Sequence, residues 1–140
     1  MDVLYEFQPF VFSSTSSAGV YVEGLPLKSP IGDLLDSHGR ICGLFQLRFP
    51  AVVGLERTAK EILPFFVSTF YGRECTSVHN HLLECLQETQ TYLEKSIMDF
   101  SSIEGIDYSL CIGVLWGSVL YVARFGGSVG LRIYRKDTFG

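Results

Sequence analysis

No stretch of this 140-residue chain approaches the roughly 18 consecutive apolar residues that a membrane-crossing helix requires. The opening Met1-Asp2-Val3-Leu4-Tyr5-Glu6 has neither a basic region nor an uninterrupted apolar stretch, so it does not resemble a secretory leader. A cytoplasmic protein with no membrane partner is expected. Positive charge is also scarce: 11 Lys and Arg stand against 15 Asp and Glu, giving a net charge of −4. Thinly spread basic residues offer no footprint for a phosphate backbone, so nucleic acid is not an expected partner. The cysteines Cys42, Cys75, Cys85 and Cys111 form no CxxC pair, which argues against a zinc ribbon or a disulfide framework. They are expected to be reduced, and three of them to pack as small hydrophobes. There is no internal repeat, no linker, and no low-complexity tract beyond Ser13 to Ser17. A single domain spanning 1–140 is expected, with 1–25 a candidate flexible segment.

What the chain does have is apolar patterning, at 47% hydrophobic residues. Val20-Tyr21-Val22-Glu23 alternates like a short strand before Gly24, Pro26 and Pro30. His38-Gly39-Arg40 reads as a turn, and Ile41 to Phe49 as a buried strand that stops at Pro50. From Gly54 the period changes. Leu55, Ala59, Ile62, Leu63, Phe66 and Val67 recur at helical spacing, which predicts an amphipathic helix kinked at Pro64. A second helix is predicted from Thr76-Ser77 to about Asp99-Phe100, turning Leu82, Leu83, Leu86, Tyr92, Leu93 and Ile97 inward. Three strands follow, Tyr108 to Trp116, Val119 to Phe125 and Val129 to Arg135, joined by glycine turns into an antiparallel meander. The middle strand is apolar on both faces and is expected to be covered on both. The fold class is α/β (α+β), with antiparallel sheet layers and two packed helices.

Candidates for chemistry are few. His79 and His81 lie two apart on a helix and point in different directions, so they read as solvated side chains rather than a metal pair. His38 beside Asp36 is expected to make a local hydrogen bond. Gly126-Gly127-Ser128 precedes no helix and reads as a hairpin turn rather than a phosphate cradle. Cys42 and Cys111 fall in predicted core strands without a neighbouring histidine. Apart from Glu23 in the first strand, Glu74 between the helices and those near the termini, the acids outside the helices are Asp33, Asp36, Glu104 and Asp107, which are expected to be solvated loop acids.

The stretch Gly105 to Ser128, and above all Val119-Leu120-Tyr121-Val122-Ala123-Arg124-Phe125-Gly126-Gly127-Ser128, resembles the type 2C metal-dependent serine/threonine phosphatases. Their corresponding segment runs from Gly-x-Gly-Thr-Thr to Leu-Tyr-Val-Ala-Asn-x-Gly-Asp-Ser. Gly39 to Leu47 is similar to the strand that in the family ends in Asp-Gly, and Gly54 to Tyr71 to the helix after it. The resemblance covers roughly residues 30 to 135 and implies a shortened phosphatase-like sandwich. Family members hold two divalent ions on aspartates that activate a bridging water. Here the Asp-Gly position is Gln46-Leu47, Arg48-Phe49-Pro50-Ala51 follows, and Gly-Asp-Ser becomes Gly126-Gly127-Ser128. Asp33 is the only plausible remnant of the metal site, and the family's later half has no counterpart in this sequence.

The resemblance and its departures imply a non-catalytic interaction or assembly module without a cofactor. A homodimer or another protein chain would complete its layers, with Trp116, Phe125, Tyr134 and Arg135 as expected interface residues. The alternatives are a divergent or partial phosphatase using Mg or Mn near Asp33, and an unrelated α+β adaptor subunit.

Overall fold

The computed structural model describes residues 15–17, 19–28, 34–50, 54–100, 105–126 and 129–137, and the side chains of these except 15–17, 28, 129–134 and 137. Six strands, β1 (Thr15–Ser17), β2 (Val20–Lys28), β3 (Arg40–Arg48), β4 (Asp107–Trp116), β5 (Val119–Gly126) and β6 (Val129–Asp137), form one antiparallel sheet in the order β1-β2-β3-β4-β5-β6. Three helices accompany them: α1 (Leu34–His38), α2 (Glu56–Gly72) and α3 (Val78–Ser96), the last followed by a 3-10 turn at Met98–Phe100. The expected α+β class is therefore present as one sheet with one helical layer. None of the described helices is long and apolar enough to cross a membrane.

The two long helices form because each carries one apolar stripe. In α2, Ala59, Ile62, Leu63, Phe66 and Phe70 are buried, while Pro64 lies on the exposed side and the helix runs on past it. In α3 the buried set is Val78, His81, Leu82, Cys85, Leu86, Thr89 and Leu93. The Ser77 side chain caps its start by accepting the Asn80 N–H at 3.4 Å. The Thr89 hydroxyl, fully buried, donates to the Cys85 carbonyl at 2.7 Å and so carries no unmet polar group into the core. Phe65 and Tyr92 stack between the helices at 4.3 Å, and the Tyr92 hydroxyl donates to Glu61.

The sheet presents alternate residues to this helical layer. Ile41, Phe45 and Leu47 of β3, Leu110, Ile112 and Val114 of β4, and Tyr121, Ala123 and Phe125 of β5 all fall in one buried cluster with the helix stripes. Phe45, Phe66, Phe70, Leu82 and Leu86 are among its largest fully enclosed side chains.

Three local readings are corrected by the structure. The first strand does not end at Glu23 but continues as β2 to Lys28, with the register shift between Leu25 and Lys28 falling where Pro26 has no N–H for the ladder. The residues around His38 form the short α1 rather than a bare turn. Strand β5 is covered on its Tyr121-Ala123-Phe125 face by the core, whereas Leu120 and Val122 stay half-buried and Arg124 is exposed on the other. At Gly126 the backbone has φ +118°, and an added Cβ would collide with the Tyr108 carbonyl oxygen, so only glycine fits this corner beside Ser109.

Candidate interaction surface

Among the described residues no helix lies over the second face of the sheet. The phase of β3 defines that face: Arg40, Cys42, Leu44, Gln46 and Arg48 point away from the helices, and Leu44 keeps 44% of its surface exposed. Ser109, Cys111, Gly113 and Leu115 of β4 continue the face, followed by Leu120, Val122 and Arg124 of β5. Contacts at two glycines fix the sidedness. A Cβ on Gly113 would meet the Cys42 Sγ at 3.0 Å and the Leu120 Cδ1 at 3.9 Å, whereas one on Gly43 would meet Ile112 on the helix side at 2.6 Å.

The open face carries the apolar side chains Cys42, Leu44, Cys111, Leu115, Leu120 and Val122, with Arg40, Arg48 and Asp107 toward the strand ends and Arg124 in the row of Leu44 and Cys111. Pairing runs across it in rows. Arg40 is level with Leu115, Cys42 with Gly113, Leu44 with Cys111, Gln46 with Ser109, and Arg48 with Asp107. Leu44 and Cys111 share one row and Cys42 shares another with Gly113, so the apolar residues are neighbours across the β3 and β4 pairing.

The expected interface residues are distributed differently. Phe125 is 1% exposed beneath the helices and packs on Tyr108 at 5.9 Å, so its odd-numbered phase in β5 makes it a core residue with no surface to offer a partner. Trp116, 40% exposed, has the same parity as buried Leu110, Ile112 and Val114; its indole N–H donates to the Asp36 carbonyl at 2.7 Å and ties the end of β4 to α1. Arg135 is register partner of Tyr121 and its guanidinium sits 5.8 Å over that ring, on the helix side. Position 134 pairs with Val122 of the open face, while the Tyr134 side chain lies outside the described residues. Asp33 lies outside them as well.

Cys42 and Cys111 are on the open face, not in the core, and burial among their neighbours pushes both thiols up from the usual cysteine range. The four cysteines are free. The buried thiol is Cys85, whose Sγ lies 3.7 Å from Nε2 of His81, a pair formed by the one-turn spacing of the two residues on α3. His81 is 5% exposed, in contrast to the solvated histidine expected; His79 is exposed. Nε2 of His81 donates to the Phe70 carbonyl at 2.6 Å, and Nε2 of His38 to the Arg73 carbonyl at 2.5 Å. The two rings meet edge to face at 5.2 Å. Their work is structural: they satisfy carbonyls at the C-terminal end of α2, which no intrahelical donor reaches. The Tyr71 hydroxyl completes the junction by donating to the Gly39 carbonyl at 2.9 Å. Desolvation pushes the Cys85 thiol up to about 12, so the pair holds a protonated thiol and offers no nucleophile.

An open groove over the helices is lined by Phe65, Glu84, Gln87, Glu88, Thr91, Tyr92 and Lys95. Among the described residues, no group of three or more His, Cys, Asp or Glu is arranged to hold a metal ion. The described residues form a two-layer α+β fold in which helices cover one face of the sheet. No protein-family profile matches the chain, and neither a curated protein nor a solved structure matches it.

Proposed function

We propose that this protein is a non-catalytic interaction module that binds a protein chain through the open face of its sheet. The observation that carries the reading is that face itself: a helical layer covers one side of the sheet, and the other presents Leu44 and its half-buried neighbours. Burying such a surface against another chain is favourable by about 25 cal/mol for each Å² of apolar area removed from water. The order of elements, strands then a helix pair then a three-strand meander, supports kinship with the first half of a type 2C phosphatase.

The chemistry at the corresponding positions supports binding over hydrolysis. Where the resemblance expects a metal-bridging Asp-Gly, Gln46 is neutral, Leu47 is fully buried on the helix side, and Arg48 sets a cation beside them. A pair of divalent ions needs several carboxylates to offset its charge. The reading requires no cofactor. It is tested by incubating the protein with a phosphoserine peptide in Mn²⁺ and titrating Mn²⁺ by calorimetry. Neither turnover nor binding heat is expected. Metal-dependent turnover that disappears in Asp33→Ala would replace the binding role with a catalytic one.

A further inference from the structure

Resting on the interaction reading, we infer that the occupant of the open face is a second copy of this chain, related by a two-fold axis that runs along the strands between β3 and β4. Two arguments select it. The first is area. With strands about 4.8 Å apart and about 3.3 Å of rise per residue, strands β2 to β6 present about 700 Å², close to the roughly 800 Å² per partner of a standard stable interface.

The second is charge complementarity. Rotation about this axis lays β3 of one copy over β4 of the other and keeps each row at its own level. Arg48 then faces Asp107 of the second copy, and by symmetry this happens twice. Leu44 faces Cys111, Cys42 faces Gly113, and Arg40 faces Leu115. Arg124, level with Cys111 and Leu44 in the row that reaches Gly24, faces that glycine of the other copy. No like charges among these residues are opposed. An axis lying across the strands would instead bring Arg48 over Arg40, a repulsive arrangement at both ends of the interface. Sheets packed face to face cross at about 30°, so the axis is tilted slightly from the strand direction.

The experiment is sedimentation velocity on the full chain over a dilution series. The wild type is expected to be a dimer at micromolar concentration, and Leu44→Arg, at an exposed position, a monomer with unchanged circular dichroism. Arg48→Asp sets two acids face to face across the axis and Asp107→Arg two bases. Each is expected to weaken self-association about tenfold or more. Mixing the two variants is expected to restore a dimer, now heterodimeric, because both cross-axis pairs become attractive while the pairs within each chain remain repulsive. A monomeric wild type overturns the second copy as occupant and leaves the face available to another chain. A dimer that survives Leu44→Arg overturns the placement of the second copy on this face. A mixture that fails to form the heterodimer refutes the axis.

Discussion

The buried thiol of Cys85 makes the stability of this protein sensitive to alkali in a way that can be worked out. Its burial against His81 and the α2 stripe favours the neutral form, raising its pKa from 9.0 to about 12. A group whose folded pKa is raised contributes stability that is complete below its unfolded pKa and is lost as pH rises toward the folded value. The relevant window therefore opens near pH 9 and closes near pH 12. At pH 10 the unfolded thiol is mostly ionised and the folded one is not, so Cys85 alone lowers stability by about 1.4 kcal/mol relative to pH 7. The assay is urea unfolding followed by circular dichroism at pH 7.5, 9 and 10, for the wild type and Cys85→Val. Other groups titrate in both proteins, and the difference between the two pH profiles isolates the cysteine. Cys85→Val should lose about 1.4 kcal/mol less than the wild type over this range. Parallel profiles would refute the claim that the core holds this thiol neutral.

Further substitutions probe the packing. Gly126→Ala forces a Cβ against the Tyr108 carbonyl at a φ of +118° and should cost more than about 2 kcal/mol in urea unfolding; a change under about 0.5 kcal/mol would contradict the close approach. His81→Leu removes the donor to the Phe70 carbonyl within the core and should cost about 1–3 kcal/mol, read as a lower thermal midpoint. An unchanged midpoint would mean that water reaches that carbonyl. Phe66→Ala empties the centre of the helix and sheet interface and should cost about 3–5 kcal/mol, and a loss below about 1 kcal/mol would show that the site collapses around the void.

The sequence announces the elements more clearly than the sidedness of the sheet. The apolar stripes at Ala59, Ile62, Leu63 and Phe66 and at Leu82, Leu86 and Leu93 have a strong helical period, and the structure buries those residues. The glycine turn at Gly117 likewise marks the hairpin between β4 and β5. Which face of each strand meets the helices is harder to read. In β5 both parities are apolar, with Leu120 and Val122 alternating against Tyr121 and Ala123, so the pattern reads as doubly covered although only one face meets the helices. Trp116 and Phe125 are attractive anchors as residue types, yet their parity turns both toward the helical layer. The better signal is in β3, where Arg40, Gln46 and Arg48 share one parity with Cys42 and Leu44. Exposed Leu44 interrupts that polar alternation and marks the middle of the open face. His81 escapes a reading based on its spacing from His79, because its partners are Cys85, one turn along α3, and a carbonyl of a different helix.

The strand order carries a consequence for how the chain assembles. Every strand lies beside its sequence neighbour, and four of the five pairings close over short or moderate connections. Only β3 and β4 must find each other across about sixty intervening residues, which hold both long helices. Closing a loop of that length costs entropy that grows with the logarithm of its length, and prior pairing of α2 with α3 shortens the effective distance. The meander of β4, β5 and β6 and the hairpin of the helices can therefore form early as local units, with the β3 to β4 seam zipped last. The same seam sits at the centre of the open face, so a completed face is itself a report that the chain has finished folding.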